Sequence, residues 1–183
     1  VPAVAGVLAV VAVWTLATKA FDRRAGLMAA LLAAVLPGHF LGRTPVGFVD
    51  HHALEVLLSF ATLACVAYGT AAGAGVCLGW YLLAWASGSY FVFILAVWLV
   101  LTAMLAPAQG AYLGRFVAIT AAIALAIVLV FQDPDLFRYN TQIAALAGLL
   151  LLSFVVMFFA NRLLKVIGVV ALLSVTLVFV TWM

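Results

Sequence analysis

The segment PGHFLGRTPVGFVDHHALEVLL, residues 37–58, concentrates side chains capable of metal or anion chemistry in a chain of which only 7% is charged. Among these side chains are Arg43, Asp50, His51, His52 and Glu55. Asp50 and His52 are two residues apart across a predicted junction between loop and helix, so both can point at one cation. A carboxylate oxygen with an imidazole suits Mn, Zn or Fe, whereas Mg prefers more oxygen ligands.

Two further side chains extend this predicted site. Glu55 follows His52 by three residues and His51 by four, so on a helix it shares a face with either. It can orient a ligand histidine or act as a ligand itself. Arg43 adds a forked donor that suits phosphate or carboxylate. A cation and an arginine together predict an anion-handling site, with the anion left open.

A purely structural interpretation of the same segment stays open. Pro45 and Gly47 keep the chain non-helical before HHALEVLL, so Asp50 lies where a helix N-cap is expected. Histidines at a membrane interface can simply be solvated. The sequence contains no HEXXH motif, no phosphate-binding GXXXXGK[ST] loop and no Ser-His-Asp grouping.

Composition sets the class of protein that must position these residues. The chain has 183 residues, of which 70% are hydrophobic, and a mean hydropathy of +1.39, which is too apolar for a water-soluble fold. Its apolar runs lack the alternation of barrel strands, so we predict an all-α, polytopic membrane protein. The net charge of +3 comes from scattered cations, which predicts no nucleic-acid partner. Cys65 and Cys77 are predicted to be free, buried thiols.

The apolar runs predict about eight transmembrane helices. Their approximate ranges are 2–18, 25–38, 52–70, 72–86, 90–106, 113–131, 141–160 and 166–182. The break at WASGSY, residues 85–90, divides one long run into two helices. Glycines between positions 69 and 79 predict a tight turn and a close helix approach. No soluble domain is expected within 1–183.

The distribution of basic residues predicts the orientation. If TKAFDRR, residues 18–24, is cytoplasmic, alternation of the helices places Arg115 and the loop 161–165 on the same side. The catalytic-type loop 37–52 then lies on the extracytoplasmic side of a multi-pass cell-membrane protein. The polar loop 132–140 shares that side and is predicted to be a solvated turn. Five aromatic residues are expected to be interface anchors and helix-packing residues, or the lining of a lipid groove: Trp80, Trp85, Tyr90, Phe91 and Phe93.

The residues of this segment resemble a known family. The stretch with Arg43-Thr44, Gly47 and Asp50-His51-His52, followed by LGWYLLAWASGSYFVFI (78–94), is similar to the membrane domain of the oligosaccharyltransferase catalytic subunit in its archaeal and bacterial single-subunit form. The second acidic motif of that family is Asp-x-Asp, Asp-x-Glu or Asp-x-His in the second external loop, after Arg-Thr or Arg-Ser and a Gly.

The resemblance implies a GT-C type glycosyltransferase. Such an enzyme transfers an oligosaccharide from a polyprenyl phosphate or pyrophosphate lipid to Asn in an Asn-X-Ser/Thr sequon of an acceptor polypeptide. Asp50 and His52 are then expected to bind a divalent metal, Mn or Mg, with Glu55 and His51 as supporting or additional ligands. Asp50 and Arg43 are the catalytic candidates, and the role of Arg43 is inferred from its chemistry.

The chain departs from the family pattern at both ends. An aspartate of the first external loop, a glutamate of the fifth and the Trp-Trp-Asp-Tyr-Gly motif would all fall outside 1–183. We therefore expect a partial transmembrane domain of a longer polypeptide, inactive alone. Two alternatives stay open: another GT-C membrane transferase that uses a polyprenyl-linked sugar, and a non-enzymatic transporter or scaffold.

Overall fold

The protein is all-α in the part that its structure, a computed structural model, describes: residues 2–35, 52–131 and 139–158, with Val166 and Val170. These residues contain no β-strand, which confirms the predicted fold class. The α-helices are α1 (Pro2–Ala20), α2 (Arg23–Val35), α3 (His52–Ala67), α4 (Ala71–Ala84), α5 (Ser89–Leu105), α6 (Gly110–Phe131) and α7 (Tyr139–Phe158). Helices suit this composition because they satisfy every backbone polar group internally.

The helix ends agree closely with the predicted runs. The break at residues 85–90 is confirmed, since the short 3-10 helix Ala86–Gly88 separates α4 from α5. A second 3-10 helix, Pro107–Gln109, precedes α6, as expected where a proline interrupts an apolar run. The predicted crossing at 166–182 lies outside the described residues, apart from Val166 and Val170.

Helix length distinguishes possible membrane spans. Within the described ranges, three helical segments are long and apolar enough to cross a membrane: Ala3–Ala20, Pro107–Phe131 and Thr141–Phe158. Helices α3, α4 and α5 are apolar but shorter. Helix α2 has 13 residues, about 20 Å, which is less than the roughly 30 Å of a bilayer core. The count of eight crossings stays a prediction.

The chain divides into two compact units, Val1–Trp85 and Ala86–Met183. In the first unit α1 packs against both α2 and α3, and α3 packs against α4. At the α1–α2 corner, Asp22 Oδ1 accepts a 2.7 Å hydrogen bond from the Ala25 backbone N–H. This bond caps the start of α2, where backbone N–H groups have no partner within the helix.

Small residues bring α1 and α2 close together. Gly26 is buried, and a Cβ atom built on it would meet the Thr18 hydroxyl and lie 3.0 Å from the Trp14 carbonyl oxygen. Side chains as small as this let helix backbones approach in an apolar environment, where packing and not hydrophobicity drives association.

The α3–α4 turn contains the tight geometry that its glycines predict. Gly69 adopts a positive φ of 73°, which favours glycine because it has no Cβ atom. The Thr70 N–H donates a 2.9 Å bond to the Cys65 carbonyl oxygen. A Cβ on Gly73 would lie 3.0 Å from Cys65 Sγ, so the two helices approach closely. Cys65 and Cys77 carry free thiols as predicted, but both are half-buried instead of fully buried.

In the second unit α6 packs along α7, and α5 packs against both. A Cβ on Gly114 would lie 2.7 Å from the Ser153 carbonyl oxygen, so the α6 and α7 backbones are nearly in contact there. The buried hydroxyl groups of Thr120 and Ser153 donate to carbonyl oxygens of their own helices, at Phe116 and Leu150. Such bonds let polar side chains pack between apolar helices without an unsatisfied donor.

Candidate functional site

His52 is the first residue of α3, and its side chain is held by Glu55 one turn later. His52 Nδ1 and Glu55 Oε2 are 2.8 Å apart. This spacing of three residues places both side chains on one helix face. A carboxylate oxygen accepts hydrogen bonds, so the Nδ1–H group of His52 donates this bond to Glu55 Oε2.

The tautomer of His52 follows from this bond. When Nδ1 is the protonated nitrogen of a neutral imidazole, Nε2 carries the lone pair that can accept a proton or coordinate a metal. The side chain of His52 is 35% exposed and that of Glu55 is 16% exposed. The ring is therefore reachable from outside the helix pair, while the carboxylate that orients it is largely covered.

An aromatic side chain that follows α4, Trp85, adjoins the His52 ring. Trp85 meets it edge-on, with ring centroids 6.1 Å apart and an interplanar angle of 86°. Tyr81, one turn earlier, makes a similar contact with Trp85 at 6.3 Å. The Tyr81 hydroxyl is also within electrostatic range of the Glu55 carboxylate. These contacts limit the rotation of the imidazole and lower the polarity around it.

Sequence reasoning assigned Trp85 to interface anchoring and helix packing, and it did not place Tyr81 or Trp85 beside His52. The sequence signal that bears on them is the turn that makes α3 and α4 an antiparallel hairpin. Because Gly69 forms the turn, the first residue of α3 and the residues at the end of α4 lie at the same end of two antiparallel helices. The turn therefore brings the end of α4 level with His52, while the rotation of α4 about its own axis decides which of its side chains faces the ring.

The remaining candidates from the sequence lie outside the described residues. These are Asp50, Arg43 and His51, together with the loop 37–51 that carries them. Loop residues 132–138 are also outside the described part. Across the ranges that are described, no three His, Cys, Asp or Glu side chains converge as a metal site.

His52 and Glu55 fit one part of a metal site. An imidazole whose Nδ1–H is held by a carboxylate is the usual arrangement of a metal-binding histidine, because the bond fixes the tautomer and makes Nε2 a stronger donor. His52 and Glu55 form this pair at a helix start that lies two residues after Asp50 in the sequence. One histidine is not a complete coordination sphere, so a metal bound to His52 would need further ligands.

Comparison with known families gives a match over nearly the whole chain. The model of the family "Oligosaccharyl transferase STT3, N-terminal" matches residues 1–182. Dolichyl-phosphooligosaccharide-protein glycotransferase 3 of Archaeoglobus fulgidus is 31% identical over 158 residues, covering 76% of this chain and 18% of that relative. The Haloferax volcanii dolichyl-monophosphooligosaccharide–protein glycotransferase AglB is 41% identical over 64 residues, which are 34% of this chain and 6% of that protein.

Solved structures share the fold. The A. fulgidus oligosaccharyltransferase in its apo form superposes with a TM-score of 0.71 at 25% identity, covering 85% of this chain and 21% of that one. The structure of the same archaeal enzyme in complex with Zn and sulfate gives a TM-score of 0.68 at 25% identity, covering 99% of this chain and 27% of that one. A structure of A. fulgidus AglB in complex with an inhibitory peptide and a dolichol-phosphate gives a TM-score of 0.75 at 23% identity. It covers 100% of this chain and 25% of that one, and it shows a shared fold.

The chain thus spans 18% of the length of its A. fulgidus relative, and between a fifth and just over a quarter of the three solved chains. The family match over residues 1–182, together with a 31% identical relative across three quarters of the chain, shows that this chain belongs to the oligosaccharyl transferase STT3 family.

Proposed function

We propose that this chain is the membrane part of an oligosaccharyltransferase catalytic subunit. The full protein would transfer a glycan from a polyprenyl phosphate or pyrophosphate lipid to the side-chain amide of Asn in an Asn-X-Ser/Thr sequon. Membership of the STT3 family supports this function, as do the names of two archaeal relatives, which are glycotransferases that use a dolichyl-phospho-oligosaccharide. The same membership favours it over a transporter or scaffold, and over other GT-C transferases.

The observation that carries the proposed site is the bond between His52 Nδ1 and Glu55 Oε2. We infer that His52 offers Nε2 to a divalent metal, that Asp50 offers a carboxylate oxygen, and that Glu55 holds the imidazole in place. His51 would support the site or supply another ligand.

The proposed residues divide the chemistry between them. A divalent cation bound there would supply Lewis-acid stabilisation of the charge that develops on the departing lipid phosphate. Arg43 would bind phosphate oxygens through its forked guanidinium donors, which orients the lipid headgroup. Trp85 and Tyr81 would exclude water from one side of His52, which strengthens the electrostatic interactions at that ring.

The proposed metal is Mn or Mg, and the imidazole of His52 also accommodates Zn. Mg alone would favour an all-oxygen set, whereas a mixed oxygen and nitrogen set is compatible with Mn and Zn. The A. fulgidus relative has been solved with Zn and sulfate, an example of a cation and a tetrahedral anion in a protein of this family.

We also propose that loop 37–52 is extracytoplasmic. The support is geometric: Lys19 lies against Tyr68, just beyond the end of α3, whereas His52 is the first residue of that helix. The cations Lys19, Arg23 and Arg24 and the proposed site are therefore at opposite ends of the first unit. The positive-inside tendency would place these cations in the cytoplasm and His52 outside.

The test uses the full-length protein, reconstituted with lipid-linked oligosaccharide, a sequon peptide and Mn. Asp50→Ala should abolish transfer, and His52→Ala should reduce it strongly. Asp22→Asn is the matched control, because it removes a carboxylate whose role is to cap α2. Transfer that continues at the parental rate in Asp50→Ala would rule out the metal role of that residue.

A further inference from the structure

The corner between α1 and α2 carries a dense group of exposed cations that the proposed glycosyl transfer does not use. Lys19, Arg23 and Arg24 are all exposed. Phe21, between them, exposes 81% of its surface, and Tyr68 exposes 51%. We call these five residues the basic corner.

Contacts within the basic corner join it to the end of α3. Lys19 Nζ lies 5.2 Å from the centroid of the Tyr68 ring, a cation–π contact between α1 and the α3–α4 turn. The acidic residue of the segment, Asp22, directs Oδ1 to the Ala25 backbone N–H at 2.7 Å. Three cations outnumber this one carboxylate, so the corner remains net positive.

Arg23 and Arg24 occupy positions that helix stability does not favour. Both lie in the first turn of α2, where the positive end of the helix dipole disfavours cations. Asp22 offsets part of this unfavourable interaction, and a bound anion would compensate the charge of the two arginines that remains.

Apolar surface begins immediately beyond the cations. Leu27, Met28 and Leu31 on α2 are all more than half exposed, at 56%, 58% and 55%. Positive charge next to an aromatic side chain, followed along the helix by exposed aliphatic side chains, matches the order of headgroup and acyl chain in a phospholipid. An acidic soluble protein would match the cations but not the aliphatic strip.

We propose that the basic corner binds the headgroup of an anionic phospholipid, with an acyl chain along the exposed side of α2. This site is separate from the proposed catalytic one, because α3 has 16 residues and is therefore about 24 Å long between them. The inference does not depend on the glycosyl transfer.

The test compares lipid association of the full-length protein in nanodiscs, using spin-labelled phosphatidylglycerol and spin-labelled phosphatidylcholine. The parent protein should prefer the anionic lipid, and salt should weaken this preference by screening. Each of Lys19→Gln, Arg23→Gln and Arg24→Gln should reduce the ratio of the two association constants about fivefold. These side chains are exposed, so the variants should fold normally.

The control is Arg115→Gln, which removes an exposed cation from the second unit at the start of α6. It should leave most of the preference intact. If Arg115→Gln lowers the ratio of the association constants as much as the three corner variants do, the preference comes from overall charge and the proposed site is overturned. A parent protein that shows no preference for the anionic lipid would also overturn the site. That result is expected if a protein segment, and not lipid, covers the corner.

Discussion

The Nδ1 atom of His52 donates to the Glu55 carboxylate across 2.8 Å, so the orientation of the proposed metal ligand is set within one turn of α3. The bond is local, but it has a chemical consequence, because it leaves Nε2 as the nitrogen that would face a metal.

Replacing Glu55 by Ala should weaken binding of Mn or Zn to the full-length protein by about 10- to 100-fold, the usual effect of losing a carboxylate that orients a ligand histidine. Glu55→Gln keeps an acceptor without the charge and should fall between Ala and the parent. Isothermal titration calorimetry of the purified protein measures the affinity. Ser59→Ala is the control, since Ser59 Oγ bonds to the Val56 carbonyl oxygen and not to His52. Unchanged affinity in Glu55→Ala would show that Glu55 does not orient the ligand.

Replacing His52 by Asp should change the preferred metal. A second carboxylate in place of imidazole favours harder cations, so the ratio of Mg to Zn affinity should rise, while His52→Ala should weaken binding of both. Competition between metals in the full-length protein gives this ratio. His39→Asn provides a histidine control outside the predicted ligand set. If His52→Asp leaves the ratio at the parental value, the imidazole is not a ligand.

Replacing Gly114 by Ala should destabilise the second unit. The new Cβ would lie 2.7 Å from the Ser153 carbonyl oxygen and 2.9 Å from Met157 Cβ, so backbone must move. The expected cost is about 1–3 kcal/mol, as for other overpacked sites. Thermal unfolding in detergent measures it. Gly148→Ala is the matched control on α7, since nothing lies within 4 Å of its Cβ position. That variant should be neutral or more stable by up to about 1 kcal/mol.

Gly26 and Thr18 should show coupled effects on stability. A Cβ on Gly26 would meet the Thr18 hydroxyl, which is buried and has no hydrogen-bond partner among the described residues. Gly26→Ala should therefore destabilise, whereas Thr18→Ala should be nearly neutral because it removes an unsatisfied polar atom. In the double variant the loss should be smaller than in Gly26→Ala alone, as a double-mutant cycle of unfolding midpoints would reveal. If the effects of the two substitutions on the unfolding midpoint are strictly additive, Gly26 and Thr18 are not coupled, and the close contact between α1 and α2 at this point is ruled out.

Local features of the fold and site could be predicted from the sequence. The start of α3 at His52 and the break at Ala86–Gly88 follow from glycine and proline positions. The contact between Glu55 and His52 follows from spacing on one helix. The approach of Trp85 to His52 could not be predicted in the same way, because it depends on the rotation of α4 about its axis. That helix is apolar on all sides, so its sequence does not show which side faces α3.

The short α3–α4 turn has a consequence for how this family can vary in length. An insertion of a single residue within Ala71–Ala84 would rotate everything after it by about 100° and carry Trp85 away from the His52 ring. Natural insertions and deletions in functional relatives should therefore avoid α4 and collect before His52 or after Trp85.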